Sequence, residues 1–267
     1  MKRSLKLTLS YDGTDYAGWQ IQRRGQRTLQ QTLEEAVEKI TGERTSIMAS
    51  GRTDAGVHAL GQVASFDTEC RLSNDVLIRA INAALPYDVA VHSIEDVPDG
   101  FHATRHAVRK RYRYAVFDGQ IRDVFQLRYC WNMVYGRLDA EAMQRAAAPL
   151  IGRHDFTSYE TGGARRKTSV RNVYDIRVER GRGDHTDVVT IEIEANGFLY
   201  NMVRNIVGTL VEVGRGVQAE QWPLEVLEAC DRNRAGRTAP PQGLFLMWVK
   251  YGEMAATEQG QDAHATG

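Results

Sequence analysis

The chain has only three cysteines in 267 residues, Cys70, Cys130 and Cys230, far apart and odd in number. That excludes a disulfide framework and any paired-cysteine metal motif, and a reducing cytoplasm is the expected location. It also lacks any apolar run near the ~20 residues that span a bilayer. Met1 to Leu9 alternates polar and apolar residues and has no continuous apolar core of a signal peptide, so no membrane partner is expected. Net charge is absent too, with 34 basic and 34 acidic side chains. Taken alone, that balance argues against a polyanionic partner.

The distribution of charge reverses the argument. Lysine is scarce, six residues against 28 arginines. The basic side chains gather as Arg23, Arg24 and Arg27; Arg105, Arg109, Lys110, Arg111 and Arg113; Arg165, Arg166, Lys167 and Arg171; and Arg232, Arg234 and Arg237. Arginine's planar fork suits phosphate oxygens and stacks on bases. Any one cluster reads equally as a solvated loop; four together point to a nucleic acid.

Hydrophobic patterning gives an α+β chain. Leu5, Leu7, Leu9 and Tyr11 alternate with Lys6, Thr8 and Ser10, the pattern of a half-buried strand. Thr28, with Gln31 three residues on, predicts a capping box for a helix carrying Leu29, Leu33, Val37 and Ile40 and ending at Gly42. Short strands follow near Ser46–Ser50 and Gln62–Asp67. A helix capped by Ser73 carries Val76, Leu77, Ala80, Ile81 and Ala84, and a strand follows near Val89–Ile94. The order then repeats: strand Val108–Phe117, helix Asp139–Leu150, strands Val173–Glu179 and Val188–Ala195, helix Leu199–Val213, and a short helix begun by Pro223. Strand Leu244–Tyr251, apolar on both faces and so expected to be central, closes the order. Each half reads as a βαββαβ ferredoxin-like unit, with antiparallel sheets and helices packed on one side. The expected domains are 1–104 and 105–251, with a central cleft between them. Residues 252–267, small and polar, are the expected disordered tail.

The most informative stretch is Ala49-Ser50-Gly51-Arg52-Thr53-Asp54-Ala55-Gly56-Val57-His58-Ala59. Two glycines bracket an acid between two strands, so a tight turn can present Asp54 without neighbouring bulk. Arg52 and His58 are close enough in sequence to hold a phosphate or the carboxylate. Read alone, the segment is also an ordinary structural turn.

Gly-Arg-Thr-Asp-Ala-Gly-Val-His-Ala at 51–59 resembles the signature of the tRNA pseudouridine synthase A family. Four further segments agree in order: Tyr11 to Gln22, Lys110-Arg111-Tyr112-Arg113-Tyr114, Phe198 to Gly208, and Ala239 to Leu246. The match runs from about Lys6 to Tyr251. Asn201 stands where the family pattern has histidine, and Pro241 where it has alanine. The resemblance implies a pseudouridine synthase fold and isomerisation of uridine to pseudouridine at positions 38, 39 and 40 of the tRNA anticodon stem-loop. It also implies a homodimer.

The isomerisation moves no electrons to or from an outside donor, so no cofactor is expected. A carboxylate can act covalently beside the glycosidic bond, and the resemblance gives Asp54 that role. Attack on C1′, addition to the uracil ring and removal of the C2′ proton all remain open. By resemblance, Arg204 pairs with Asp54 and Tyr112 stacks on the uracil, with Leu244 or Leu246 as the opposite wall. Without the family match, Arg204 reads as a solvated helix edge and Tyr112 as a core residue. Asp12 and Asp15 flank a turn after a strand and are not read as a metal pair. The competing readings are a non-catalytic RNA-binding protein, which leaves Asp54 without a task, and a glycosidase, which needs a second acid in a comparable motif.

Overall fold

The computed structural model describes residues 2–22, 25–133, 136–162, 168–181, 183 and 186–252. Arg23, Arg24, Arg165, Arg166 and Lys167 of the basic clusters lie outside these residues, as does the expected tail from 253 onward.

The first half runs β1 (Arg3–Tyr11), α1 (Leu29–Thr41), β2 (Met48–Ala49), β3 (His58–Thr68), α2 (Asn74–Ala84) and β4 (Val89–Val97). The second runs β5 (Ala107–Phe117), β6 (Trp131–Asn132), α3 (Ala140–Ala147), β7 (Gly152–Asp155), β8 (Val170–Arg180), β9 (Val188–Ala195), α4 (Met202–Gly214), α5 (Trp222–Ala229) and β10 (Leu244–Tyr251). One continuous sheet takes the order β4-β1-β3-β10-β5-β9-β8-β7, with β2 on β3 and β6 on β5. Within it, β10-β5-β9-β8 has the ferredoxin-like arrangement of the second half, and β4-β1-β3 that of the first.

The two halves meet at β3. The edge of β3 away from β1 is shared. Met48 and Ala49 pair antiparallel with Ser65 and Ala64, while Phe245 and Leu246 of β10 pair parallel with His58 and Ala59. Continued past Ser50 in this register, β2 would run into the part of β3 that β10 occupies. β10 therefore lies between β3 and β5, as its apolar character on both faces predicts.

The helices form because their apolar stripes face the sheet. Leu29, Leu33 and Val37 of α1, and Leu77 and Ile81 of α2, are buried with Leu5, Leu7 and Leu9 of β1. Val76 is instead exposed, lying off that stripe. Thr28 caps α1 by accepting the Gln31 N–H at 3.4 Å. The reciprocal half of the expected capping box is missing, because the Gln31 amide bonds Glu35 one turn on at 2.7 Å. Gly42, at φ 74°, ends the helix in the left-handed region. Asp139 caps α3, which gives way to a 3-10 turn at 148–150 because Pro149 has no N–H for the next helical bond.

Helix α4 is buried almost all round and starts at Met202, three residues later than its apolar run predicts. Asn201 causes the delay by adopting φ 60°, a conformation that cannot continue a right-handed helix. Phe198 to Asn201 thereby become a loop. The buried Asn205 ties α4 to the segment before β10: its side-chain Oδ1 accepts from Arg232 at 3.0 Å and from Thr238 at 2.7 Å. Gly208 allows that segment to lie directly on the helix.

The opposite sheet face spends much of the predicted basic character internally. Arg111 meets Asp175, Glu192 and Glu194 at 2.9, 3.0 and 2.7 Å; Arg113 meets Glu192, and Arg109 meets Glu194. These arginines are held by carboxylates on β8 and β9. Arg232 is likewise a clamp within the chain, and Arg27 pairs with Asp88.

Gly208 gives a direct test of this packing. A Cβ there would sit 1.7 Å from the Arg237 carbonyl oxygen. Gly208→Ala gains about 1 kcal/mol of helix propensity, yet net destabilisation of about 1–3 kcal/mol is expected in urea unfolding. An unchanged or higher midpoint would mean that residues 236–239 are not seated on α4 as described.

Candidate active site

The two helical layers part above β3, β10 and β5, leaving a cleft of about 860 Å³. Trp19, Gln30 and the 49–54 loop line it from the first half. Lys110, Tyr112, residues 198–204 and Leu244 line it from the second.

Asp54 stands on a bend built in layers. The Val57 N–H donates to the Asp54 carbonyl at 3.1 Å, and Gly56 takes φ 76° to close the turn. Gly18 backs the loop at a distance no side chain permits, since a Cβ there would lie 2.8 Å from the Thr53 carbonyl oxygen. Beneath it, buried polar groups satisfy one another. The Tyr11 hydroxyl meets the Thr53 hydroxyl at 2.8 Å. The Gln62 amide donates to the Gly51 carbonyl at 2.9 Å, and the Ser50 hydroxyl donates to Gln62 at 2.8 Å. Satisfied networks of this kind fix a single geometry, because each unmade bond would cost about 1–3 kcal/mol.

The Asp54 carboxylate is about one-third exposed, with side-chain accessibility of 34%, and lies 3.4 Å from Arg204 Nη1. Arg204 is aimed by two further bonds, from Nε to the Ala239 carbonyl at 2.7 Å and from Nη1 to the Asn201 side-chain oxygen at 2.9 Å. Burial raises the Asp54 pKa above the ordinary carboxylate value, and the guanidinium pulls it partly back. Tyr112 is buried beside this pair, its ring edge-on to Phe198 at 5.0 Å between centroids. Burial raises its hydroxyl pKa, and nearby Tyr11 and Asp54 add to the rise.

Asp54, Arg204, Tyr112, Arg52 and Leu244 are thus brought to one cleft; Arg52 is exposed at its wall. Two other expected residues are not. Leu246 is fully buried beside Tyr112, its partner across the β10–β5 ladder, and does not line the cleft. His58 is also absent from the lining. Its partner Phe245 pairs in turn with Arg113, a register that sends it to the face opposite Tyr112. There it is 1% exposed, stacked on Phe245 at 4.7 Å. Its Nδ1 accepts from the Gly13 N–H at 3.1 Å, and its Nε2 reaches the Arg128 carbonyl at 3.0 Å. Asp12 also lies 3.1 Å from Nδ1, but burial lowers the His58 pKa, and the neutral ring suits acceptance from Gly13. His58 therefore braces two loops.

Sequence reasoning missed three contributors. In sequence Lys110 reads as one of a basic cluster with Arg109, Arg111 and Arg113, although its period-two spacing from Tyr112 places both on one strand face. Asn201 gave no signal beyond its difference from the family pattern. The Tyr11–Gln62–Ser50 support depends on which strands become neighbours. Among the described residues, Asp54 is the only carboxylate lining the cleft, and no group of three or more His, Cys, Asp or Glu side chains could hold a metal ion. No helix among them is long and apolar enough to cross a membrane.

Comparison with known proteins adds an independent line. A family model described as tRNA pseudouridine synthase matches residues 8–104 and 146–252. A protein of Thermoanaerobacter sp. (strain X514) named tRNA pseudouridine synthase A is 44% identical over 249 residues, covering 93% of this chain and 100% of that relative. Proteins of the same name from Myxococcus xanthus and Enterobacter sp. (strain 638) are 45% and 43% identical. They cover 92% and 93% of this chain and 91% and 90% of their own lengths. A solved structure titled Crystal Structure of a Cbf5-Nop10-Gar1 Complex aligns at 11% identity with a TM-score of 0.34, covering 90% of this chain and 57% of that one. With a family model spanning most of its length and full-length relatives above two-fifths identity, the chain belongs to the tRNA pseudouridine synthase family.

Proposed function

We propose that this chain isomerises uridine to pseudouridine in tRNA, at positions 38, 39 and 40 of the anticodon stem-loop, with Asp54 as nucleophile. The observation that carries the reading is the solitary carboxylate, held on a glycine-closed bend in a cleft and faced by one guanidinium. A hydrolase acting on the same bond by paired carboxylates would need a second acid in the cleft. The target nucleotide is everted into the cleft, at a cost of a few kcal/mol offset by contacts there. Asp54 makes the covalent bond or drives the rearrangement directly. Uracil leaves C1′ through nitrogen, turns, and rejoins through carbon. The carbon gives up a proton and the nitrogen gains one, so no outside reactant enters and no cofactor is needed. Arg204 keeps Asp54 ionised and aimed, Tyr112 stacks on the base, Leu244 forms a wall, and Arg52 contacts the RNA strand. The halves 1–104 and 105–251 act as the two sides of the cleft, in a cytoplasmic homodimer.

The deciding experiment supplies purified protein, with chelator and no cofactor, with unmodified tRNA transcript and maps pseudouridine by position. Asp54→Ala and Asp54→Asn are expected to bind the transcript and form none; turnover by either removes the assignment. Tyr112→Phe is expected to keep more activity than Tyr112→Ala if stacking is its role, and wild-type rates for both would make it a packing residue only.

Two consequences follow from the raised Asp54 pKa. The Asp54 carboxylate must be ionised, so kcat/KM falls on the acid side at a pH shifted upward from the ordinary carboxylate value. Arg204→Met removes the cation that opposes the shift, so the acid limb moves to higher pH. A slower enzyme with an unmoved limb would show that Arg204 does not set this charge. For stability the sign is opposite to that of an ordinary ion-paired acid. A carboxyl that holds its proton more tightly when folded loses stability as pH rises from its unfolded value through its folded one. At neutral pH Asp54→Asn is therefore expected to unfold at equal or higher urea than the wild type, although inactive. A lower midpoint would contradict a carboxylate held at a cost.

A further inference from the structure

Lys110 differs from every neighbouring cation on its strand. Arg109, Arg111 and Arg113 point to the opposite sheet face, and each meets a carboxylate of β8 or β9. Lys110 shares the Tyr112 face and lines the cleft. No carboxylate among the described residues lies within ion-pair distance of it. Its ammonium donates one hydrogen bond, at 2.5 Å to the carbonyl of Ser50, the residue that begins the Asp54 loop. An ammonium has three donors. The ammonium lies directly over Gly51, where a Cβ would fall 2.9 Å from Nζ.

A half-buried ammonium held by a single neutral carbonyl is an uncompensated charge. Burial pushes its pKa down to about 8, with no acid to oppose the shift, so it still carries its charge at neutral pH. Such a cation is costly unless an anion completes it. The other titratable or charged groups lining the cleft are Arg52, Asp54, His102, Tyr112, Tyr200 and Arg204, and the one acid among them is already faced by Arg204.

Resting on the function proposed above, we infer that Lys110 is a substrate-binding residue whose ammonium takes a non-bridging phosphate oxygen beside the everted nucleotide. The Ser50 carbonyl holds one donor, leaving the other two for the phosphate. Since Ser50 leads into the bend that carries Asp54, the same contact ties the RNA backbone to the catalytic loop. The exposed arginines would supply diffuse attraction, whereas Lys110 fixes one phosphate at a set place relative to Asp54.

The test measures dissociation constants for an unmodified anticodon stem-loop RNA across a salt series, in the Asp54→Asn background to stop turnover. Lys110→Met is expected to weaken binding about ten- to a hundredfold, the weight of a charge-assisted hydrogen bond. It should also lower the slope of log affinity against log salt by about 0.7, one phosphate on a single strand. Lys110→Arg should restore the slope. RNAs carrying a neutral methylphosphonate at either phosphate flanking the target uridine supply the second arm. At one of them the parent protein should lose the same factor, with no further loss in Lys110→Met. An unchanged slope in Lys110→Met, or additive losses at both linkages, overturns the inference. If Lys110→Met does not fold by thermal melting, parent protein insensitive to both methylphosphonates overturns it, and sensitivity at one linkage supports it. Failure of the wild-type chain to modify tRNA would instead refute the proposed function, a result read separately from these ratios.

Discussion

The structure depends on keeping one carboxylate partly out of water and still ionised. Water stabilises a free carboxylate by more than most protein surroundings do, so burial raises the Asp54 pKa and favours its protonated form. Full exposure would leave it ionised but solvated and poorly aimed. The chain takes an intermediate course, with one-third exposure and a guanidinium at 3.4 Å. The guanidinium is spread over three acceptors, the Ala239 carbonyl, Asn201 and Asp54, with the longest contact to the acid. A long contact moderates the charge without locking the carboxylate into a tight pair. Arg204 can therefore steady Asp54 while leaving its oxygens free for a substrate.

That arrangement requires two segments 150 residues apart in sequence to meet within a few ångströms. The continuous sheet makes the meeting possible. β2 of the first half pairs with Ser65 and Ala64 of β3, and β10 of the second half takes the same edge farther along, at His58 and Ala59. The Asp54 loop enters β3 at this junction, while Ala239, which receives the Arg204 side chain, lies just before β10. The strand pairing that joins the halves thus also sets the spacing of the acid and its partner. Asn205, Arg232 and Thr238 then fix the 232–239 segment against α4, so Arg204 and its carbonyl acceptor belong to one rigid unit. Arg232, which in sequence reads as a cation for phosphate, is consumed in this task.

What the sequence made legible is what local rules determine. The alternation in β1, the stripe of α1 and its Gly42 stop, and the apolar β10 all follow from periodicity and turn chemistry, and the structure places them accordingly. Illegible features depend on partners distant in the chain. The face taken by His58 depends on the register between β3 and β10, and a shift of one residue would have turned it toward Tyr112. Gln31 completes no capping box because Glu35, one turn along, offers an ionised acceptor to its amide. The start of α4 at Met202 rests on one residue at positive φ, which an apolar count cannot register. Asp54, Arg204 and Tyr112 could be singled out only through resemblance, since spacing alone left each with an ordinary structural explanation.

The balance of charge is also read differently once partners are known. A net charge of zero fits a chain in which many of the described arginines pair with its own acids, and the β5–β9–β8 ladder shows that matching at its densest. Attraction for a polyanion then comes from the cations left unmatched, and these differ in kind. Exposed ones such as Arg52 lose little by waiting in water, since solvent already stabilises them. A cation sunk in the wall of a cleft does lose by waiting, because the protein has removed water without supplying an anion. Removing Lys110's charge should therefore cost affinity in the complex while relieving a burden in the free protein. An exposed arginine should show only the first effect. That asymmetry separates a cation placed for a ligand from one placed for solubility, and counting charge along the sequence cannot reveal it.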